Sequence, residues 1–343
     1  MTSTNELRKH RHRRKKSLGL AIAILLTALL LQGCGSDATT SADGDAEEGT
    51  VPTVFNYGYI GVNELNLPTG AEGWGFHKGI IQEELAKYGI TEINLTGFPN
   101  GPDQSESLIS GRLDAGSLGD TPAILARSTG AKTRLIAQAH IENIGYLIGK
   151  KDGPTTVEEL QGKTIAIQKG SYMHRYVAGL LNEAGVTDVK LVHMLRPDGE
   201  AALARGEVDA MTNSGVYALK QIEEGYPHID DSTKHPHLLG TNATVVSEAY
   251  LEKFPDFPKV WNEIRLKALE DLKQHEDEYY ELVAQIQNTT PEKVKQVSPI
   301  STIKDTPFTE EGISRITGTK DFLVEEKLAD QDFDIEAWIL RVE

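Results

Sequence analysis

Two turns of the sequence carry small polar residues of the kind that can bind an anion. In residues 118–122 (LGDTP), Thr121 precedes a proline, and in residues 169–174 (KGSYMH), Ser171 precedes an amphipathic segment. Both patterns are typical of a helix start, with Thr121 and Ser171 as capping residues. The first turn of a helix presents unpaired backbone N–H groups and a partial positive charge, so two such turns could bind an anion without lysine or arginine. The simpler interpretation is that each residue only caps its helix.

Neighbouring residues extend this candidate site. Gly119 would let a ligand approach the backbone closely, and Gly170 directly precedes Ser171 in the second turn. Asp120 could accept hydrogen bonds from an amine of the ligand or, equally well, from nearby backbone groups. His174 lies one helical turn beyond Gly170 and could donate to a ligand, although a lone histidine is more often a packing or surface residue.

The sequence lacks the patterns that most enzymes need. Its only cysteine is Cys34, which excludes an internal disulfide and a cysteine-rich iron-binding loop. His235-Pro236-His237 is too short to match a metal-binding spacing and is expected in a loop beside a hinge. No Ser/His/Asp order and no nucleotide-type glycine loop stand out. We therefore expect neither an enzyme nor a bound metal or cofactor.

The sequence segments that surround the two turns occur in two similar copies along the chain. LISGRLDAGSLGDTP (108–122) is similar to LARGEVDAMTNSGVY (203–217), and ELAKYGITEINLTGF (84–98) is similar to LLNEAGVTDVKLVHM (180–194). Both pairs are separated by nearly the same number of residues. The sequence therefore predicts two copies of one structural unit.

Each copy alternates strands with helices, which predicts an α/β fold with parallel sheets covered by helices. The predicted strands are 53–60, 92–96 and 113–117 in the first copy, and 163–168, 189–192 and 208–212 in the second. The predicted helices are 76–88 and 102–110 in the first copy, and 172–184 and 197–205 in the second. Short strands at 135–137 and 146–148 would lead from one lobe to the other.

After about residue 235 the pattern changes to one strand, 243–247, and long helices. We expect this tail to return to the first lobe, so that the chain crosses between lobes twice and forms a hinge. The predicted lobes are 52–147 with 238–343 (lobe I) and 148–237 (lobe II). The predicted helices of the tail are 248–253, 257–286, 291–296 and 309–328.

Ligands of open parallel sheets bind beyond the carboxyl ends of the strands. The repeat places four loops there: the loop after 53–60, residues 118–122, residues 169–171 and residues 213–215. Two similar lobes on a hinge would bring these loops face to face, so the sequence predicts a ligand cleft between them.

The N-terminus has the parts of an export signal. Residues 1–33 combine a basic stretch with an apolar run, 18–31, that is shorter than the roughly 20 residues of a membrane span. Leu31-Gln32-Gly33-Cys34 resembles the bacterial lipobox, which implies lipidation of Cys34, and residues 34–51 suit a flexible tether. Residues 1–33 hold seven basic residues and one acidic residue, so their removal changes the net charge from −16 to −22. Such a charge disfavours nucleic acid and anionic lipid headgroups as partners.

Three segments, 97–131, 155–186 and 204–219, resemble the substrate-binding proteins of the nitrate/sulfonate/taurine ABC importers, with aliphatic-sulfonate binders most similar. The resemblance extends from residue 53 to the end. It implies the type II periplasmic-binding-protein fold, in which two similar βαβ-type lobes are joined by a two-segment hinge. It also implies that Asp120, Thr121, Ser171 and His174 contact the anionic group of the ligand.

Two departures from that family concern specificity. Sulfonate binders usually carry Trp and Asp-Pro where this chain has Asn213-Ser214-Gly215, which makes Ser214 a candidate ligand contact. The loop 61–75 is long and contains Asn63 and Trp74. By the repeat spacing Trp74 would face Gly170, either as a wall of the ligand pocket or simply packed beneath the loop. Both departures suggest a ligand other than a simple alkanesulfonate.

The sequence thus predicts a monomeric, exported, lipid-anchored protein that closes around a small anionic ligand and docks on an importer permease. It would reside at the outer face of the cytoplasmic membrane, on the periplasmic side if the cell has an outer membrane. Two alternatives share these features. One is a sensor that presents a solute to a receptor, and the other is a binder of a pyrimidine, a thiamine precursor or another nitrogen-containing solute.

Overall fold

The structure is a computed structural model that describes residues 50–341. By their contacts these residues belong to one compact unit. Cys34, the predicted export signal and most of the predicted tether lie outside the described residues.

The first part of the chain alternates strands and helices around one sheet, which we call lobe I. Phe55, Tyr57 and Tyr59 are buried at alternate positions of its first strand, the period of two that a strand requires. The elements are β1 (Val54–Ile60), α1 (Gly70–His77), α2 (Ile80–Ala86), β2 (Glu92–Phe98), α3 (Gly101–Ile109), β3 (Ala115–Gly119), α4 (Asp120–Ser128) and β4 (Thr133–Ala137).

The second part builds a similar sheet, which we call lobe II. Its first long helix buries Tyr176, Val177, Leu180 and Leu181, the spacing of one helical face. The elements are β5 (Gly145–Gly149), β6 (Lys163–Ile167), α5 (Tyr172–Glu183), β7 (Val189–His193), α6 (Arg196–Arg205), β8 (Ala210–Ser214), α7 (Gly215–Glu223) and β9 (His228–Asp231).

The remaining chain returns to lobe I, as predicted. Trp261 packs on Tyr57 with ring centroids 5.0 Å apart and on Phe55 at 5.7 Å. The elements are β10 (Asn242–Ser247), α8 (Glu248–Lys253), α9 (Phe257–Gln274), α10 (Glu276–Gln287), α11 (Pro291–Val297), α12 (Glu310–Glu325) and α13 (Ile335–Trp338).

The duplication predicted from the sequence is confirmed by the topology. The sheet of lobe I has the order β2-β1-β3-β10-β4, and the sheet of lobe II has the order β7-β6-β8-β5-β9. In each lobe the first strand of the repeated unit lies between the other two and runs parallel to both. The carboxyl ends of β1, β2 and β3 therefore correspond to those of β6, β7 and β8.

The prediction that both sheets are parallel is wrong for two strands. β10 runs antiparallel to β3 and β4, and β5 runs antiparallel to β8 and β9. Each of these strands is the first one after the chain has crossed from the other lobe. No βαβ crossover joins it to its neighbours, and that connection is what makes strands parallel.

Two predicted helices are each divided. The helix expected at 76–88 begins earlier, at Gly70, and is interrupted at Gly79, whose φ of 78° is left-handed. The helix expected at 257–286 is interrupted at His275, where φ is −126°. The earlier start of α1 matters for the site, because it brings residues 70–75 out of the predicted loop.

Two segments cross between the lobes, near residues 138–144 and 232–241. They pair with each other where Asn143 N donates to Gly240 O at 2.8 Å and Gly240 N donates to Asn143 O at 3.0 Å. β5 starts at Gly145 and lies wholly in the sheet of lobe II, a few residues before the proposed boundary at 147. Within residues 50–341, no helix has the length and apolar character needed to cross a membrane.

Candidate functional site

A cavity of about 810 Å³ lies between the lobes, at the carboxyl ends of the parallel strands of both sheets. Its lining includes the ends of β1 and β3 from lobe I and of β6 and β8 from lobe II. This is the position that the repeat predicted for a ligand cleft.

The lining contains the N-terminal capping residues of six helices. Helices α1 and α3–α7 all begin at the cavity, so the positive ends of their dipoles lie on that side. One first-turn N–H in each of α1, α3, α4 and α5 already has a partner within the protein. Their partial positive charges add in one enclosed space, which favours an anion. The six capping residues are Thr69, Asn100, Gly119, Ser171, Leu195 and Ser214.

Ser171 caps α5, as predicted. Its Oγ accepts a hydrogen bond from His174 N at 3.2 Å and donates one to Gln168 O at 2.7 Å. The side chain is buried and lines the cavity. The backbone of this turn is therefore fixed, with the start of α5 directed toward the cleft.

Ser214 begins α7 without using its side chain as a cap, and its backbone N–H donates to Asn213 Oδ1 at 2.9 Å. Gly215 follows with a φ of 52°, a conformation that favours glycine. Asn213 itself is buried and donates to Gln221 Oε1 at 2.8 Å. The cavity lining at residues 213–215 therefore lacks a bulky side chain, in agreement with the departure from the family that the sequence indicates.

Arg196 adds a formal positive charge to the partial charges of the helix N-termini in the cleft. Among the lining residues of the described chain it is the single arginine, and there is no lysine. Its guanidinium carbon lies 3.6 Å from the ring centroid of Tyr217, and its Nη1 lies 3.4 Å from Glu200 Oε1. Stacking on the aromatic face orients the guanidinium plane while leaving its N–H groups available at the edges.

Arg196 and Tyr217 were not predicted as site residues, although the repeated units indicated that a helix start at Arg196 would lie at the cleft. Arg196 starts the helix that follows β7, and the equivalent position in lobe I is the start of α3 at Gly101. Both helix starts line the cavity. The prediction counted the loops after the first and third strands of each unit and omitted those after the second.

The structure places Asp120 away from the ligand cavity. The side chain is fully buried and accepts hydrogen bonds from Thr241 N at 2.9 Å and from Thr319 Oγ1 at 3.2 Å. Its other oxygen accepts from Thr121 N at 2.5 Å. The sequence left two roles open for Asp120: to accept hydrogen bonds from a ligand amine or from nearby backbone groups. The observed contacts agree with the second role.

Asp120 also faces a buried cation of the other lobe. Arg175 Nη2 of α5 lies 3.9 Å from Asp120 Oδ2, and both side chains are almost fully buried. The same guanidinium donates to the carbonyls of His237, Leu238 and Leu239 in a crossing segment. Burial lowers the pKa of Arg175, and the Asp120 charge partly opposes that shift.

The prediction that Thr121 caps α4 is wrong. The helix begins at Asp120 with Gly119 as its capping residue, so Thr121 is already inside the first turn. Its hydroxyl donates to Asp120 Oδ1 at 3.0 Å, and the side chain is buried outside the cavity lining. The carboxylate of Asp120 satisfies the Thr121 N–H, which is the task that a cap would perform.

Trp74 does not face Gly170, and that prediction is wrong. Its ring is fully buried in lobe I, and its Nε1 donates to Asp271 Oδ1 at 2.7 Å. The repeat spacing failed here because the loop after β1 is an insertion and α1 begins at Gly70. Packing beneath the loop, the alternative kept open from the sequence, is what the contacts show.

Gly170 and His174 lie beside the cavity and are not among its lining residues. Gly170 N donates to His174 Nδ1 at 3.3 Å, which turns the ring back onto its own helix start. Burial, and then the charge of Lys169, lowers the pKa of His174. Gly170 has a φ of 79°, and a Cβ at this position would lie 3.1 Å from Pro102 Cγ of lobe I.

Asn63 lines the cavity and shapes the loop between β1 and α1. Its Nδ2 donates to Leu67 O at 2.9 Å, and its Oδ1 accepts from Leu67 N at 3.3 Å. Ile60 and Val62, also in the lining, are 44% and 75% exposed. This part of the cleft therefore offers apolar surface to a ligand.

Four polar residues of lobe I, Tyr57, Glu72, Ser117 and His140, line another part of the cavity, which we call the polar corner. Burial lowers the pKa of His140 to about 4, so the ring is neutral at pH 7. Burial raises the pKa of Glu72, while the nearby charge of Arg265 opposes that shift. Across residues 50–341, no group of three or more His, Cys, Asp or Glu side chains could hold a metal ion.

The family described as "NMT1/THI5 like" matches residues 92–278, which is more than half of the chain. The chain belongs to this family. Two curated proteins, both named "Putative aliphatic sulfonates-binding protein", are similar in sequence to this NMT1/THI5-like chain. The Escherichia coli (strain K12) protein is 34% identical over an alignment of 174 positions that covers 46% of this chain and 54% of that protein. The Bacillus subtilis (strain 168) protein is 25% identical over 267 residues, 76% of this chain and 79% of that protein.

Solved structures share the two-lobed periplasmic-binding-protein fold. The alkanesulfonate-binding protein SsuA from Xanthomonas axonopodis pv. citri, bound to MOPS, has a TM-score of 0.69 at 20% identity and covers 85% of this chain and 99% of its own. SsuA from Escherichia coli has a TM-score of 0.66 at 22% identity and covers 84% and 97%. The desulfurization enzyme DszB with biphenyl-2-sulfinic acid has a TM-score of 0.64 at 17% identity and covers 83% and 96%. These likenesses establish the fold, which serves both binding proteins and an enzyme.

Proposed function

We propose that this NMT1/THI5-like protein is an extracytoplasmic solute-binding lipoprotein. It captures a small organic anion of the sulfonate class between its lobes and delivers the anion to the permease of an ABC importer. The observation that carries the proposal is the convergence of six helix N-termini and Arg196 on one cavity. A sulfonate has three acceptor oxygens and no donor, so it matches a site of converging N–H groups.

The negative net charge of the protein means that an anion must be attracted by groups inside the cavity. A chain at −16, or −22 without residues 1–33, repels anions over its whole surface. Attraction must therefore come from local donors, and the cavity concentrates them. Helix N-termini and one stacked guanidinium provide that attraction at short range, where charge interactions are screened less than across bulk water.

The cavity also has room and apolar surface for the organic part of the ligand. Its volume of about 810 Å³ is in the range of pockets for small organic molecules. Ile60, Val62 and Leu67 line it from lobe I, and Met173, Met194 and Met211 line it from lobe II. Small residues at 213–215 leave space where related proteins carry a bulky wall, which supports a ligand larger than a simple alkanesulfonate.

Capture occurs by closure of the lobes. Arg196 and the starts of α5 and α7 belong to lobe II, whereas the starts of α1, α3 and α4 belong to lobe I. A ligand that contacts both sets binds the closed arrangement better than the open one and shifts the population toward it. The closed protein then docks, as a monomer, on the permease.

The N-terminal sequence supports the site of action. Export through the signal at residues 1–33 and lipidation of Cys34 would hold the protein at the outer face of the cytoplasmic membrane. SsuA from Escherichia coli, whose structure shares the fold, is described as a periplasmic binding protein, which supports an extracytoplasmic location. Residues 34–51 would serve as the tether that leaves the lobes free to close.

Binding is favoured over catalysis. DszB shows that the fold can carry an enzyme, and one of its structures is a cysteine-to-serine variant. Cys34 is the only cysteine of this chain and lies in the predicted lipobox, so residues 50–341, which line the described cleft, contain no thiol. Among the described residues, the cavity lining offers hydrogen-bond donors to an anion and contains no cysteine.

Calorimetry with an Arg196→Ala variant tests the proposed function. The wild-type protein should bind at least one member of a panel of alkyl-, aryl- and aminosulfonates, with nitrate and an aminopyrimidine as comparison ligands. Arg196→Ala should weaken that binding by roughly ten- to a hundredfold, because a charge-assisted contact is lost. Arg205→Ala is the control, since Arg205 is on the same helix, is exposed and pairs with Glu207 outside the cavity.

The outcomes separate the hypotheses. Absence of binding across all sulfonates would refute the proposed ligand class, and binding of the aminopyrimidine alone would favour the nitrogen-containing solute instead. Equal affinities of the Arg196→Ala and Arg205→Ala variants would show that the guanidinium has no part in the site.

A further inference from the structure

The crossing segment near residues 232–241 is bound to lobe II as far as residue 239. Three successive carbonyls accept hydrogen bonds from the buried guanidinium of Arg175, at 3.2, 3.2 and 2.7 Å, and they are those of His237, Leu238 and Leu239. Arg175 belongs to α5, and the Leu238 side chain packs on the same helix at Gly179, where a Cβ would lie 2.5 Å from it. Residues 237–239 are therefore part of lobe II in any movement of the lobes.

From Thr241 onward the same segment is bound to lobe I. Thr241 N donates to Asp120 Oδ2 at 2.9 Å, and Asp120 N donates to Thr241 O at 2.8 Å. Asp120 is the first residue of α4 in lobe I. The chain thus passes from the hydrogen bonds of one lobe to those of the other across a single residue, Gly240.

The other crossing segment changes lobe at the same level. His140 O accepts from Asn242 N of β10 in lobe I at 2.8 Å, whereas Gly145 begins β5 in lobe II. Between them, Asn143 exchanges two backbone hydrogen bonds with Gly240. We call this pair, Asn143 and Gly240, the pivot, because hinge motions are absorbed by a few residues between rigid parts.

The ring of Tyr172 lies against the pivot. A Cβ built on Gly240 would lie 2.7 Å from Tyr172 Cδ2 and 2.8 Å from its Cγ, well inside the distance of about 3.5–4.0 Å at which carbon atoms contact. On the opposite edge of the ring, a Cβ built on Gly119 of lobe I would lie 3.7 Å from Cδ1. Tyr172 is the first residue of α5 and lines the cavity. Its ring therefore joins lobe II, lobe I and the pivot beside the cleft.

The hydroxyl end of Tyr172 stays with lobe II. Burial raises the pKa of Tyr172 to about 12, and a hydrogen bond with the Ser214 side chain opposes that shift. Ser214 is the capping residue of α7 in lobe II. A rotation at the pivot would therefore separate the ring from Gly119 or press the two together.

We propose that the lobes rotate about the pivot, Asn143 and Gly240, and that Tyr172 is a positioning residue whose ring sets the angle between the lobes. A wider angle would leave a gap beside the ring, and a narrower one would force the ring into the backbone at residue 119. This inference rests on the lobe closure of the proposed function and identifies the residues that define it. It concerns the angle between the lobes and does not depend on the chemistry of the ligand.

The test measures the distance between the lobes by electron–electron double resonance, without ligand. Spin labels are attached at Lys190→Cys in lobe II and Lys259→Cys in lobe I, two exposed positions, in the full chain carrying Cys34→Ala. Tyr172→Ala should roughly double the width of the distance distribution, because no ring then limits the angle. Tyr172→Phe keeps the ring and should retain the wild-type distribution.

Gly240→Ala tests the contact from the other side. The added methyl group would displace the ring, so the mean distance should shift in the wild-type background and show no further shift in Tyr172→Ala. Gly318→Ala is the matched control, because neither glycine has a left-handed φ and a Cβ on Gly318 has no atom within 4 Å. It should leave the distribution unchanged. Gly240→Ala decides the role of the ring even if Tyr172→Ala fails to fold.

A second pair of labels locates the pivot. His237 has a side chain that is 64% exposed, and its carbonyl is bound by Arg175 of lobe II. The distance between labels at His237→Cys and Lys190→Cys should therefore be the same in every variant. A change in this distance that follows the distance between the lobes would place the rotation elsewhere in the segment and overturn the assignment of Gly240.

Wild-type distance distributions in both Tyr172→Ala and Gly240→Ala would overturn the role of Tyr172 while leaving the proposed function intact, since calorimetry measures sulfonate binding separately. If the distances change as expected but no sulfonate binds, the proposed ligand is wrong and the pivot stands.

Discussion

Asp120 and Glu72 are two buried carboxylates of lobe I whose contacts give them different roles. The oxygens of Asp120 accept from Thr121, Thr241 and Thr319, and Arg175 lies nearby. Glu72 Oε1 accepts from none of the described residues. A fully paired carboxylate supports the structure, whereas the hydrogen bonding of Glu72 is incomplete among the described residues.

We expect Asp120→Asn to lower the free energy of unfolding by about 3 kcal/mol, measured by urea denaturation. The amide would place donors against the N–H and hydroxyl donors that Asp120 now accepts from, and it would leave Arg175 without its buried counter-charge. Asp152→Asn is the control, because Asp152 is exposed at a φ of 59°, where asparagine is equally tolerated. Unchanged stability with lost ligand affinity would instead support the ligand contact first expected of Asp120.

At the scale of elements, the site is made of helix starts. Six of the helices begin at the cavity because both lobes repeat the same strand–helix order and face each other with their strand ends. The start of α5 has a second role, since Gly170 comes close to Pro102 at the start of α3 in the other lobe. The two helix starts therefore limit how closely the lobes approach.

We expect Gly170→Ala to weaken ligand binding several-fold, measured by calorimetry. The added Cβ would lie 3.1 Å from Pro102 Cγ and oppose closure. Gly185→Ala is the control, because Gly185 follows the same helix with a φ of 68° and has no atom within 4 Å of an added Cβ. Both variants should lose about 1 kcal/mol of stability from the strained backbone, measured by urea denaturation. Equal affinities would show that closure does not bring these residues together.

On the scale of the whole molecule, two lobes joined by paired crossing segments enclose the cavity proposed to bind the ligand. The crossing segments exchange backbone hydrogen bonds between Asn143 and Gly240, and this pairing would keep the connection ordered during the proposed closure. Lys293 of α11 pairs with Glu223 of α7 at 2.5 Å and links the C-terminal helices to lobe II. That exposed pair is weak in water and can break when the cleft opens.

We expect Cys34→Ala, in the chain that keeps its export signal, to release the protein from the membrane fraction without changing ligand affinity. Lipidation requires the thiol, while the cavity lies in residues 50–341. Cell fractionation and detergent phase partition measure the anchor, and calorimetry measures binding. A variant that stays with the membrane would show that something other than a lipid on Cys34 holds the protein there.

The sequence by itself determined the duplication, most strands and the edge at which the cleft lies. Hydrophobic periodicity and the glycines that end helices are local features. They can therefore be recognised in the sequence without knowing which elements pack together. The same reasoning placed Ser171 as a cap and residues 213–215 in a loop at a strand end. It placed Trp74 wrongly, because an insertion after β1 shifted the repeat spacing, and its helix at 76–88 began too late to bring Glu72 into a helix.

Only the tertiary structure decided which side chains face the ligand. Asp120 turns inward because its partners, Thr241 and Thr319, come from distant parts of the chain, and no spacing in the sequence records that approach. Glu72 Oε1 has no partner among the described residues, although Tyr57 Oη, which is also unpartnered, lines the same corner of the cavity. A repeat fixes where strands end, but the hydrogen-bond partner of a polar group depends on residues that only folding brings near, since such a bond requires its two atoms within about 3 Å of each other.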